Sequence, residues 1–152
     1  MKKLVTGLFT LFLGLGLGAS AWADQLLIVR STQNFEEAMA TLQAAIAARG
    51  YKVAKVQRVD VGLEMKGYKT DRYRVVFYGR PGEVERLAAE YPELIPYLPL
   101  NVAIFAEEGQ TILTAARPTV LREFFPQPAL APVFERWEKD LTEIFDEVRA
   151  TR

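Results

Sequence analysis

The chain has 152 residues, half of them hydrophobic, and its 19 lysines and arginines balance 19 aspartates and glutamates. It contains neither histidine nor cysteine. That removes Ser/His and Cys/His nucleophile pairs, Cys- or His-based zinc sites, haem attachment through C-x-x-C-H, disulfides and thiol redox centres.

Lys2 and Lys3 precede an uncharged run from Leu4 to Gly18, which ends in small residues and Ala21-Trp22-Ala23. This is the pattern of a secretory signal peptide over residues 1–23, cleaved after Ala23, with no lipobox cysteine to anchor the product. The expected address is the bacterial periplasm, with no membrane association after cleavage. Residues 24–152 form one domain of roughly 130 residues, enough for one core. Losing the two leader lysines leaves a net charge of about −2, which disfavours nucleic acid as a partner.

Leu26 to Arg30 is a short apolar run that predicts the first strand. Asn34 is a good N-cap with Glu37 three residues on, and Phe35, Ala38, Met39, Leu42, Ala45 and Ile46 fall on one helical face. Gly50 supplies a left-handed stop, so the first helix is expected over Phe35 to Arg49. Tyr51 to Val61 alternates with one slip between Val53 and Val56, which predicts a bulged strand. Leu63 to Lys66 fits either a turn or a second short strand.

Tyr73, Val75 and Phe77 alternate with Arg74, Val76 and Tyr78 in the next strand. Gly79-Arg80-Pro81-Gly82 breaks it. Pro81 suits the first position of a helix carrying Val84, Leu87, Ala88 and Tyr91, which Pro92 stops. Leu94 to Leu100, with Pro96 and Pro99, is too rich in proline for a helix and is expected to lie extended against the core. Asn101 to Glu107 and Gln110 to Ala116 read as a hairpin about Glu108-Gly109. Thr119 to Phe125 is a short helical candidate. The last helix carries a stripe of Phe134, Trp137, Leu141, Ile144, Phe145 and Val148, with Glu135/Lys139 and Arg136/Asp140 as i,i+4 pairs elsewhere on its surface. The stripe is expected to pack on the sheet of its own chain. The fold class is α+β, with about five mostly antiparallel strands and helices packed on them, in the order β-α-β-β-α-β-β-α-α.

The chemistry that remains available is carboxylate, lysine, arginine and tyrosine. Asp60, Glu64 and Asp71 are the nearest acidic group in sequence. They match no acid/base spacing and lack the D-x-D-x-D-G calcium pattern, so the reading is solvated turn residues, with no metal and no cofactor. Ser31 stands beside a cap and is explained by local hydrogen bonding. The stronger candidate is a recognition surface of Tyr68, Lys69, Asp71, Arg72, Arg74, Tyr78 and Arg80, joined by Tyr97 from the proline-rich loop. These side chains combine flat contact area with donors, and arginine grips oxyanions with a fixed fork. Arg72, Arg74 and Tyr78 share a strand face by parity. The expected function is an exported binding or accessory module for a small ligand or a protein partner. The alternative is a small hydrolase or isomerase working with carboxylates and tyrosine.

The Asn34-Phe35 helix ending in Arg49-Gly50-Tyr51, VDVGL at Val59 to Leu63, YKTDRYRVVFYG at Tyr68 to Gly79 and YPELIPYLPLNVAIFAEEGQT at Tyr91 to Thr111 resemble the bacterial family called domain of unknown function 302. The resemblance spans nearly all of residues 24–152. It implies a compact α/β domain with a largely antiparallel sheet and a capacity to form dimers. It implies no established reaction, cofactor or catalytic set.

Overall fold

A computed structural model describes residues 25–151, so the expected leader, residues 1–23, lies outside the described residues. Five strands form one fully antiparallel sheet: β1 (Leu26–Ser31), β2 (Lys52–Arg58), β3 (Tyr73–Gly79), β4 (Leu100–Glu107) and β5 (Gln110–Ala116). Their order across the sheet is β1-β5-β4-β3-β2. The first strand therefore pairs with the last, Leu26 opposite Ala116 and Ser31 opposite Thr111.

α1 (Phe35–Ala48) begins where the Asn34 side chain accepts a hydrogen bond from the Glu37 N–H at 3.0 Å, and it ends against Gly50 at φ +77°. β2 has its register shift between Val53 and Lys55, where the apolar phase slips. The hairpin between β4 and β5 turns through Glu108 and Gly109, both at positive φ, as a right-twisted two-residue loop requires. The terminal helix α4 (Ala131–Ala150) buries all six residues of its stripe. Together with Ala38, Leu42, Ala45 and Ile46 of α1 they cover Val76 and Tyr78 of β3, Val102 and Ile104 of β4, and Leu113 and Ala115 of β5. Its carboxyl end is tied down by Ser31 Oγ and Gln33 Nε2, which both donate to the Val148 carbonyl, at 3.0 and 2.7 Å.

Several local expectations are corrected. Val59 to Val61 does not continue β2; it opens the short helix α2 (Val59–Glu64). The reason is tertiary: helical geometry turns the Asp60 carboxylate inward, where it meets Arg74 and accepts from the Val61 N–H at 2.8 Å. α3 (Glu83–Glu90) starts two residues after Pro81, because Gly82 takes a left-handed conformation at φ +76° in the turn before it. Pro92–Tyr97 is a 3-10 helix and not an extended segment. Pro92 occupies its first turn, where no N–H is needed, and Leu94 is drawn into the core. The candidate at Thr119 to Phe125 is likewise 3-10, over Pro118–Glu123. The charged residues of α4 serve other elements: Arg136 pairs with Glu83, Asp140 with Arg80, and Glu135 with Arg122.

Alternation along the strands leaves the other sheet face to Leu26 and Ile28 of β1, Ile112 and Thr114 of β5, Ala103 and Phe105 of β4, and Tyr73, Val75 and Phe77 of β3. The core contributed by the helices lies on the opposite side.

Candidate functional site

The expected recognition residues are spread over several environments. Arg74 and Tyr78 do share a face, but it is the interior one. Tyr78 is 1% exposed, packed edge-on against Tyr51 with ring centroids 5.4 Å apart, and burial pushes its phenol up. It belongs to the core and lines no surface. Arg74 reaches under α1, with its guanidinium 5.7 Å from the Phe35 ring centroid, and forms an ion pair with Asp60. Asp60 is only 6% exposed, so the reading of it as a solvated turn residue is corrected. Arg74 holds its carboxyl below the ordinary value of 3.8 against the opposing effect of burial, with backbone donors at Val61 and Tyr73 adding to the depression. An aspartate so engaged is a poor proton carrier at neutral pH.

Arg80 sits at the other end of β3. Its guanidinium stacks over Tyr51 at 4.7 Å and donates to the Arg49 carbonyl and to Asp140 Oδ2, at 3.2 and 2.9 Å. Tyr51 donates to the same carboxylate oxygen at 2.6 Å, and burial together with that bond pushes its phenol up. Arg80 thus fastens the β3–α3 turn to α4. Tyr97 is separated from the arginines: it packs edge-on against Phe125, at 5.4 Å between centroids.

Tyr68, Lys69, Asp71 and Arg72 remain exposed, on the segment between α2 and β3. They adjoin a groove of roughly 440 Å³ where Thr70–Tyr73 faces Phe105–Glu107 of β4. The Ala106 N–H donates to the Arg72 carbonyl at 3.0 Å and holds these segments together. Tyr73 and Phe105 form the aromatic edge, 6.0 Å between centroids. Arg72 is steered by an exposed ion pair with Glu36 and lies 5.9 Å from the Phe35 centroid. The groove is shallow, mixed in charge and continuous with the helix-free sheet face. A second shallow concavity, about 460 Å³, lies between Thr119 and α4 residues Glu135, Glu138, Lys139, Thr142 and Glu143. Among the described residues no group of three His, Cys, Asp or Glu is placed to hold a metal ion, and no helix is long and apolar enough to cross a membrane.

Sequence reasoning missed Phe105 and Glu107 as groove residues and Asp60 as a buried partner. A lone arginine on a strand face otherwise made of Val76 and Tyr78 is the one available signal: once that face is inside, the charge requires a counter-charge, though the sequence does not say which acid supplies it.

A family model described as Domain of unknown function DUF302 matches residues 27–148, most of the chain. The protein belongs to the DUF302 family. Among solved structures, the crystal structure of an uncharacterized conserved protein DUF302 from Bacillus stearothermophilus aligns with a TM-score of 0.74 at 23% identity, covering 82% of this chain and 98% of that one. At that identity the likeness speaks for a shared DUF302 fold. No curated protein matches the chain.

Proposed function

We propose that this DUF302 protein is an exported, periplasmic binding or accessory module that works without catalysis, and that its recognition surface is the groove between Thr70–Tyr73 and Phe105–Glu107 together with Tyr68 and Lys69. The observation that carries the reading is the shape and chemistry of that groove. It is open, edged by the Tyr73–Phe105 ring pair, and flanked by the exposed cations Lys69 and Arg72 and the acids Asp71 and Glu107. Open aromatic-edged surfaces with fork donors suit recognition, whereas acid/base chemistry calls for convergent groups in a water-excluding pocket. The most deeply buried acid, Asp60, is occupied by Arg74. The leader pattern of Lys2 and Lys3 before an apolar run supports passage to the periplasm, where a chain without cysteine relies on packing for its stability.

Native mass spectrometry of the protein released from cells by osmotic shock tests the reading. The expected spectrum shows a chain lacking residues 1–23 with a retained ligand or partner mass, and that mass is lost when Arg72→Glu is combined with Tyr68→Ala. A chain recovered only from the cytoplasm with its leader intact refutes the address. A bound mass that survives the double substitution refutes the site.

A further inference from the structure

An antiparallel sheet with one face in water reads as alternating apolar and polar residues. Val75-Val76-Phe77-Tyr78 of β3 and Val102-Ala103-Ile104-Phe105-Ala106 of β4 are unbroken apolar runs instead, the pattern of strands covered on both faces. In this chain the helices cover one face only, and Val75, Phe77, Ala103 and Phe105 stand half-buried on the other. The edge strand β2 adds charge to that open face. Its bulge at Ala54 resets the alternation: Val53 and Val56 both turn to the core, while Lys52 and Lys55, opposite Gly79 and Phe77, both turn to the open side. Strict alternation would set these two lysines on opposite faces. Both are exposed, and among the described residues neither forms an ion pair. Among the described residues, the one carboxylate at an open-face strand position is Glu107, which Arg30 of the same face holds at 3.1 Å. The face is therefore an apolar floor with unanswered positive charge along one side and no free acid of its own.

We propose that the open face seats an amphipathic helix of a partner protein, lying along β3 and β4 with its apolar stripe on Val75, Phe77, Ala103 and Phe105 and an acidic flank over Lys52 and Lys55. The inference rests on the reading of the protein as a binding module and names the class of partner. The dimensions fit. The seven residues of β3 extend about 23 Å, the length of a helix of about 15 residues. A helix about 10 Å across spans two strands set about 4.8 Å apart, and Ala103, the smallest side chain of the floor, leaves a trough between Val75 and Thr114. Lys52 and Lys55 are same-face neighbours about 6.7 Å apart along the strand, close to the rise of about 6 Å between residues i and i+4 of a helix, so two carboxylates one turn apart meet both. A second copy of the chain brings the same lysines and no free carboxylate on this face. The expected leader is uncharged from Leu4 to Gly18 and follows two lysines, so it does not answer the charge either. Tyr73 and Phe105 belong to both the face and the groove, whereas β2 belongs to the face alone.

Fluorescence anisotropy of the protein as released from cells, with two dansyl-labelled peptides of about 15 residues, tests the proposal. One is an alanine-rich helix with a leucine stripe and glutamates along its flanks, and the other is its twin with lysine at every glutamate. The acidic peptide is expected to bind about tenfold more tightly than its twin at low salt. Lys52→Glu combined with Lys55→Glu is expected to invert that preference, and Phe77→Thr to abolish binding. Trp137 fluorescence reports whether each variant keeps its fold. Equal binding of the two peptides, no binding of either, or a preference that survives the charge reversal overturns the proposal. So does a dimer that Phe77→Thr dissolves, which assigns the face to a second copy, or binding to phosphatidylglycerol vesicles in place of the acidic peptide, which assigns it to a lipid surface. The groove variant, Arg72→Glu with Tyr68→Ala, separates the two readings. A partner mass kept in native spectra without peptide binding refutes the helix seat alone, whereas peptide binding that ignores the groove variant and inverts with the lysines supports the seat while the groove falls. Should Phe77→Thr fail to fold, the charge reversal at the two exposed lysines decides alone.

Discussion

Removing the Arg74 side chain is expected to be among the most damaging single changes in this protein. Arg74→Ala strands a 6% exposed Asp60 with only backbone donors. Breaking a buried ion pair from one side costs about 3–5 kcal/mol. The lower end applies here, since the Arg74 side chain keeps 13% exposure and water has access to the gap. Losing the guanidinium above Phe35 adds about 0.5–1 kcal/mol. A loss of about 4 kcal/mol is a large part of the 5–15 kcal/mol that holds a typical domain together. With a urea slope near 2 kcal/mol per M, the midpoint falls by about 2 M. Trp137, buried in α4, gives the fluorescence signal for the titration. The decisive comparison is the double variant Asp60→Ala with Arg74→Ala, which removes both charges and is expected to be more stable than Arg74→Ala alone by about 1–2 kcal/mol. Strictly additive losses, or a single-variant loss under about 1 kcal/mol, refute the argument that the pair matters because it is buried.

Acid sensitivity follows from the same chemistry. Asp60 and Glu138 are both held below their ordinary values of 3.8 and 4.5; for Glu138 burial opposes the shift, and hydrogen bonds from Thr119 and Arg117 outweigh it. A lowered carboxylate contributes stability that is full above its unfolded value and lost as pH falls through the folded one, so urea midpoints are expected to be flat with respect to these groups near neutrality and to drop below about pH 4. Glu138→Gln shallows that drop. Gly79→Ala places a Cβ 2.5 Å from Val84 Cγ2, and a loss of about 1–3 kcal/mol is expected, recovered in part by Val84→Ala in the same melts. Asn34→Ala removes the cap of α1 and is expected to cost about 1 kcal/mol, read from thermal unfolding by circular dichroism.

The elements that were legible are those whose evidence is local. The α4 stripe, the Asn34 cap and the Glu108-Gly109 turn each specify their geometry within a few residues, and the structure uses them so. What escaped was decided by contacts distant in sequence. Val59-Asp60-Val61 alternates as a strand would, yet the demand of Arg74 for a counter-charge settles it as a helix. Both faces of β3 are half apolar, so parity grouped Arg74 with Tyr78 correctly but could not say which side faces inward; that is set by the register with β4 and by the helices above it. The proposed recognition residues on the 65–72 segment were readable as exposed because nothing in their pattern asks for burial, while Phe105 and Glu107 join them only through the β3–β4 pairing.

The pairing of β1 with β5 bears on how the protein is made. Strands β2 to β5 find their neighbours close by in sequence, but β1 waits for a partner about ninety residues downstream, and the α4 carbonyl that secures its end comes later still. A chain emerging from the ribosome amino end first cannot complete its sheet until synthesis is nearly over, because closing so long a loop yields nothing before the far strand exists. During that interval β1 is left without its strand partner, and the native topology delays the final closure of the sheet.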